Sequence, residues 1–156
     1  METPVTAFLR GKSISFLIKT HSNPVFTCED AARERGVKIN QIVKCMVGRD
    51  TSNALHVMLL PGDRILKIKK VRHLAGGIKV DLIAPDQLAE EYGLIVGAIS
   101  PIQFLDKNAT FYMDDTLFEE TDVDISSGDP GAGIELKCTD LYEVLGAKKC
   151  DIISSR

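Results

Sequence analysis

The sequence predicts an α+β fold built on a mixed β sheet or barrel, as opposed to a doubly wound parallel sheet. Three observations carry this. Short apolar, β-branched runs outnumber the segments with helical periodicity. Strands and helices alternate irregularly, where repeated βαβ units would alternate strictly. Gly, Pro and Asn close segment after segment, so most connections are short turns.

In chain order, residues 3–12 read as a helix: Thr3 can cap it, Pro4 takes the favoured first position, and Val5, Phe8 and Leu9 share one face before Gly11. Residues 14–18 read as a strand, followed by a turn at Asn23-Pro24. A second helix runs from Cys28 or Glu29 to Arg35, with Thr27 as cap and Gly36 as stop. Residues 42–47 and 55–60 form two strands joined by a polar, hairpin-like loop, which places Lys44 on a strand. Residues 68–74 read as a helix closed by Gly76-Gly77, and 78–83 as a strand. Residues 85–92 form a short helix between Pro85 and Gly93, and 94–99 an apolar strand broken by Gly97 and stopped at Pro101. Strands follow at 110–113, 123–126 and 134–137, then a helix over 139–145 ended by Gly146, and residues 151–153 close the sheet.

The 156 residues suit one domain, residues 1–156, able to bury a core without metal or disulfide staples. With 44% hydrophobic and 26% charged residues, disordered and fibrous classes are excluded, and the absence of Trp predicts an aliphatic core. No run approaches the roughly 20 apolar residues of a membrane span, and the first residues lack a secretory pattern, so a cytoplasmic protein is expected. Cys28, Cys45, Cys138 and Cys150 contain no C-x-x-C pair, which argues for reduced thiols and against a zinc knuckle. The net charge of -3 excludes a protein that coats nucleic acid electrostatically. Nucleic-acid contact would be local, along Arg64, Lys67, Lys69, Lys70, Arg72 and Lys79, a stretch without an intervening acid; the alternative is a solvated helix surface.

Lys44 is an ammonium in an apolar strand, between Ile42-Val43 and Cys45-Met46-Val47. Such a lysine either marks a site or points to solvent from an edge strand. Gly97-Ala98-Ile99-Ser100-Pro101 joins a strand-breaking Gly to a ladder-ending Pro, which frees backbone groups for a ligand or simply ends a strand. Ser126-Ser127-Gly128, opening the Gly-rich turn to Gly133, can form an anion nest, bind a small polar substrate or shape a hairpin. It matches neither phosphate-loop pattern, so nucleotide-cofactor chemistry is not supported. The acids Asp114, Asp115, Glu119, Glu120, Asp122 and Asp124 lack calcium-loop spacing and read as a solvated face. His21, His56 and His73 have no ligand spacing; His56 reads as a satisfied structural histidine. Cys45 beside Lys44 is a possible activated thiol, with no identifiable base.

In order and spacing, Ile42-Val43-Lys44, Gly97 to Pro101, Ser126-Ser127-Gly128 through Gly133-Ile134-Glu135-Leu136, and Leu145-Gly146-Ala147 resemble the YbaK family. That family includes the ProX-type proteins and the editing domain inserted in bacterial prolyl-tRNA synthetases. The resemblance covers nearly the whole chain. It implies a curved mixed β sheet or barrel flanked by helices, and hydrolysis of the ester that joins a wrong amino acid to the terminal adenosine of tRNA. It implies that Lys44 orients the aminoacyl-adenosine end through phosphate or ribose, as a positioner and not a Schiff-base nucleophile. Gly97, Ala98, Ile99, Ser100 and Pro101 would supply backbone contacts to the ester, with Ser126, Ser127 and Gly128 near the amino-acid pocket and His21 in the pocket segment. Water, a ribose hydroxyl or the substrate's own thiol would attack, since positioning and charge stabilisation suffice for an activated ester. Cys45 departs from the Thr or Asn that relatives commonly carry after the lysine.

The resulting expectation is a trans-editing deacylase of Cys- or Ala-tRNA(Pro), with no metal or organic cofactor. Its partners would be the acceptor end of aminoacyl-tRNA, facing the 64–79 stretch, and prolyl-tRNA synthetase. The alternatives are a non-catalytic module that binds aminoacyl-tRNA or a synthetase, and an unrelated small-molecule esterase indifferent to tRNA.

Overall fold

The computed structural model describes residues 1–155; Arg156, the last residue of the expected 1–156 domain, lies outside them. The most apolar stretch of the chain organises the fold. Strand β3 (Leu55–Pro61) is buried at every position, which a strand achieves only when both faces and both edges are covered. It pairs antiparallel with β2 (Val43–Asp50) through a tight turn in which the Asp50 carboxylate accepts from the N–H groups of Ser52 and Ala54. On its other edge lies the parallel β5 (Thr110–Asp114), itself parallel to β8 (Lys148–Cys150). The short β4 (Val80–Leu82) pairs antiparallel with Gly48 to Asp50 only, completing a five-stranded mixed sheet in the order β4-β2-β3-β5-β8.

A second, antiparallel sheet runs β1 (Phe16–Thr20), β7 (Ala132–Lys137), β6 (Asp122–Ser126). The two sheets touch at an isolated parallel bridge between Ile42 and Asp124. Among the described residues they do not close into a barrel, so the mixed-sheet form of the expectation holds and the barrel form is corrected.

Period-two alternation divides β2 and β3 between two cores. Val43, Val47, Val57 and Leu59 face the main core, with Leu88, Phe104, Val123 and Ile125. Met58, with Met46 alongside, faces Val71, Tyr112 and Ile152 under α3 (Ile68–Leu74). Helix α1 (Pro4–Gly11) buries Val5 and Leu9, and Thr3 caps it by accepting from Thr6. Helix α2 (Cys28–Arg35) is capped by Thr27 and ends on Gly36 at φ 67°. Helices α4 (Pro85–Tyr92) and α5 (Cys138–Leu145) also end on left-handed glycines, Gly93 and Gly146. Among the described residues no helix is long and apolar enough to cross a membrane.

Four expected strands need correction, one of them the strand expected at 78–83, which is only Val80–Leu82 because β4 pairs with β2 over Gly48 to Asp50 alone. Residues 94–99 form a turn, with Ile95 and Val96 half exposed; an apolar run was misleading because these side chains line a surface loop. The closing strand is β8 at 148–150, and within 151–153 only Ile153 forms a bridge, to Leu66. β1 starts two residues later than expected, at Phe16, because the chain first turns through Ser13 at φ 57°.

Candidate functional site

Because β4 reaches only as far as Gly48, the neighbouring edge of β2 is left without a strand beside it. Ile83 N–H donates to the Val47 carbonyl at 2.9 Å on that edge, so two residues earlier the N–H and C=O of Cys45 point the same way, past the end of β4. The space beside them is a cleft of 630 Å³, within the roughly 300–1,000 Å³ of small-molecule sites. Its walls are β2, the end of β6, α2 with the segment leading into it, and α4 with the two segments flanking it.

Lys44 lines the cleft, half-buried, with its Nζ donating to the Arg64 carbonyl at 2.5 Å. That single backbone partner leaves two of the ammonium's three donors for a ligand. Cys45 lines it too, and burial pushes its thiol up to about 12. Burial also raises the Cys28 thiol, against the opposing charge of Lys44. Neither sulfur is a thiolate near neutral pH, which removes the activated-thiol reading of Cys45.

Gly97 closes one side of the cleft at φ +85°, where a Cβ would lie 2.7 Å from the Val25 carbonyl oxygen and 2.9 Å from the Phe26 ring. Conformation and space thus both demand glycine there. Ile99 and Ser126 join the lining, whereas Ala98, Ser100 and Pro101 are buried behind it, Pro101 starting a 3-10 helix (Pro101–Phe104). Ser127 and Gly128 also lie off the cleft wall. Ser127 is buried and its hydroxyl donates to the Ala132 carbonyl at 2.6 Å, shaping the β6–β7 turn, and Gly128 supplies a φ of 92°. His21 is likewise outside the lining, its Nδ1 2.7 Å from the Asn23 carbonyl.

None of the basic residues from Arg64 to Lys79 lines the cleft; Arg64 meets it only through the carbonyl that holds Lys44. Acids beyond this stretch pair with part of it: Lys70 with Asp151 at 2.8 Å, and Arg72 and Lys79 with the nearby Asp81 at 3.1 Å and 3.8 Å. Lys67 and Lys69 are exposed. His56 lies elsewhere, with Nδ1 2.8 Å from the Tyr112 hydroxyl and Nε2 2.7 Å from Asp50, the satisfied arrangement expected of it.

Two charged residues in the cleft were not singled out by the sequence. Asp124, read as part of a solvated acidic face, is fully buried, as is Asp114, which caps the turn after β5. Both Asp124 carboxylate oxygens lack a hydrogen-bond partner, and Lys19 approaches only to 3.9 Å while donating to Glu135 at 2.9 Å. Burial raises the Asp124 carboxyl to about 6, with Lys19 and Arg35 opposing and Glu135 reinforcing. Arg35 ends α2 and lies flat on Gly133, where a Cβ would come within 2.2 Å of its guanidinium carbon; its Nε is also unpartnered. An Asp between two core-facing residues of a strand, Val123 and Ile125, was the available signal, the same anomaly that marked Lys44.

Comparison with known proteins adds the following. A family model described as an aminoacyl-tRNA editing domain matches residues 22–144. The Multifunctional Ser/Thr-tRNA deacylase ProXp-y of Escherichia coli (strain K12) is 28% identical over 142 residues, 88% of this chain and 84% of that protein. The proline–tRNA ligase of Thermosipho melanesiensis is 31% identical over 84 residues, 53% of this chain but only 14% of the ligase. The crystal structure of a hypothetical protein superposes with a TM-score of 0.87 at 26% identity, covering 96% of this chain and 99% of that one.

Proposed function

The chain belongs to the aminoacyl-tRNA editing domain family, and from that premise we propose that residues 1–156 act as one editing domain, a deacylase of mischarged aminoacyl-tRNA. The observation that carries this reading is the pairing of Lys44 and the Gly97 turn across one 630 Å³ cleft in a member of that family. The substrate enters by its acceptor end. Lys44, already fixed by the Arg64 carbonyl, offers its remaining donors to the phosphate or ribose of the terminal adenosine. The turn at Gly97 and the free edge of β2 present backbone groups to the aminoacyl ester.

No cleft thiol serves as nucleophile, because burial keeps both Cys45 and Cys28 protonated. The attacking group is water. Its oxygen bonds to the ester carbonyl carbon, the bond from that carbon to the ribose oxygen breaks, and the ribose oxygen recovers a proton. The amino acid leaves as its free acid. Fixing the ester against water in a largely apolar cleft supplies the acceleration.

The substrate reading is Cys- or Ala-tRNA(Pro), small side chains on the tRNA that the relatives' proline–tRNA ligase serves, and prolyl-tRNA synthetase is the partner that would present it. The E. coli relative's name makes Ser and Thr the competing side chains. The test is a deacylation panel of tRNA(Pro) charged in turn with Cys, Ala, Ser, Thr and Pro, with enzyme at catalytic concentration in the cytoplasmic pH range. Release of Cys or Ala with Pro spared supports the full reading. Release of only Ser or Thr keeps the deacylase and replaces the substrate; no release above buffer from any of the five overturns the proposal.

A further inference from the structure

Charge inside the cleft is divided. Lys44 lines one part, its ammonium held by a carbonyl, and Asp124 lines another with the guanidinium of Arg35, whose charge acts on it. Asp124 is the more anomalous of the two. Its side chain is 0% exposed, yet neither oxygen receives a hydrogen bond. A buried carboxylate without hydrogen-bond partners is costly to fold around, and the neighbouring cations leave it unsatisfied: Lys19 donates to Glu135 and reaches Asp124 only at 3.9 Å, and Arg35, whose own Nε is unpartnered, makes no hydrogen bond to it. An ionised carboxylate is acceptor-only, with room for several donors at its two oxygens, so what completes this site must bring N–H or O–H groups. It should also be cationic, because a charged donor gains most against a charged acceptor.

Resting on the deacylase reading above, we infer that Asp124 is a subsite for the α-ammonium of the aminoacyl group. The ammonium is a compact cation carried by every unmodified aminoacyl ester, and it sits one carbon from the ester carbonyl that must be fixed. Phosphate, the other charged part of the acceptor end, is repelled by Asp124 and attracted by Lys44. The opposed charges therefore set the direction in which the aminoacyl-adenosine lies. Asp124 is a positioning residue: it holds the amino acid's backbone end and leaves the side chain to the apolar part of the cleft, near Leu88 and Val47.

The discriminating experiment uses binding, so it does not depend on turnover. Two non-hydrolysable probes are compared by calorimetry at pH 7: 3′-alanylamido-3′-deoxyadenosine and its 3′-lactylamido counterpart, in which a hydroxyl of nearly equal size replaces the ammonium. Wild-type protein is expected to prefer the ammonium probe by about tenfold to a hundredfold, the value of a charge-assisted hydrogen bond. Asp124→Asn, nearly isosteric and freed of a buried charge, should bind the two alike. Absence of a preference in wild type overturns the inference, with no variant needed, and so does a preference that survives in Asp124→Asn. The two readings separate cleanly. A wild-type preference without amino-acid release from any mischarged tRNA sinks the deacylase and leaves the ammonium subsite, whereas release without the preference does the reverse.

Discussion

Lys44 and Asp124 are charged residues set into apolar strands, and the energetic reason for each differs. Lys44 is half-buried and has a carbonyl partner, so its charge is tolerated; Asp124 is fully buried, its oxygens receive no hydrogen bond and Lys19 comes only to 3.9 Å, so its charge costs stability. The sign follows from the raised carboxyl, about 6 in the fold against 3.8 ordinarily. Between those values the folded protein holds a proton that the unfolded chain has lost, so stability falls as pH rises from about 4 to about 6 and is level above. Lys19, Arg35 and Glu135, the charges that act on Asp124, are retained in the variant. Asp124→Asn should therefore exceed wild type by on the order of 1–3 kcal/mol at pH 7 and match it near pH 3.5, read from thermal melts at both values. A variant less stable than wild type at pH 7 would contradict this account of the site. Lys44 was legible in the sequence because a lone cation interrupts an aliphatic run. Asp124 was not, because it ends a string of acids that are otherwise mostly at the surface, and the parallel bridge that buries it comes from Ile42, far away in the chain.

At the scale of elements, the cleft exists because one strand is short and one turn is tight. Gly97→Ala would place a methyl against the Val25 carbonyl in a backbone conformation that disfavours it. The expected outcome is a loss of about 1–3 kcal/mol in stability, together with a raised KM from displacement of the 25–26 segment. An unchanged melting temperature would show that the turn relaxes freely and does not shape the cleft. Helices α2 and α4 were read from the sequence at their observed bounds because their end signals are local: Thr27 and Gly36 for one, Pro85 and Gly93 for the other. Residues 94–99 were misread because an apolar loop lining a cleft and a buried strand share a composition, and only pairing distinguishes them. The closing strand slipped for a related reason. Lys148 and Lys149 carry no apolar signal, and β8 is specified by its parallel register with Tyr112 and Met113.

At the scale of the whole molecule, the chain's net charge of -3 disfavours broad contact with tRNA, and the internal pairing of Lys70, Arg72 and Lys79 reduces the positive surface of the 64–79 stretch. What remains near the Lys44 anchor is Arg64 with the exposed Lys67 and Lys69. Lys67→Glu with Lys69→Glu should therefore raise KM for full-length tRNA several-fold and flatten its salt dependence, with no change in melting temperature. Equal effects on tRNA and on a minimal aminoacyl-adenosine substrate would place these lysines outside any tRNA contact.

The measurement that bears most directly on the central claim is multiple-turnover release of amino acid from Cys- or Ala-tRNA(Pro) by wild type and by Lys44→Ala, each verified as folded by its melt. The account predicts many turnovers per wild-type molecule and a loss of at least about a hundredfold in kcat/KM for Lys44→Ala, the scale of one charged positioning contact at the reacting end. Wild-type turnover undiminished in Lys44→Ala would contradict it, because the cleft would then hydrolyse the ester without the residue around which the site is built.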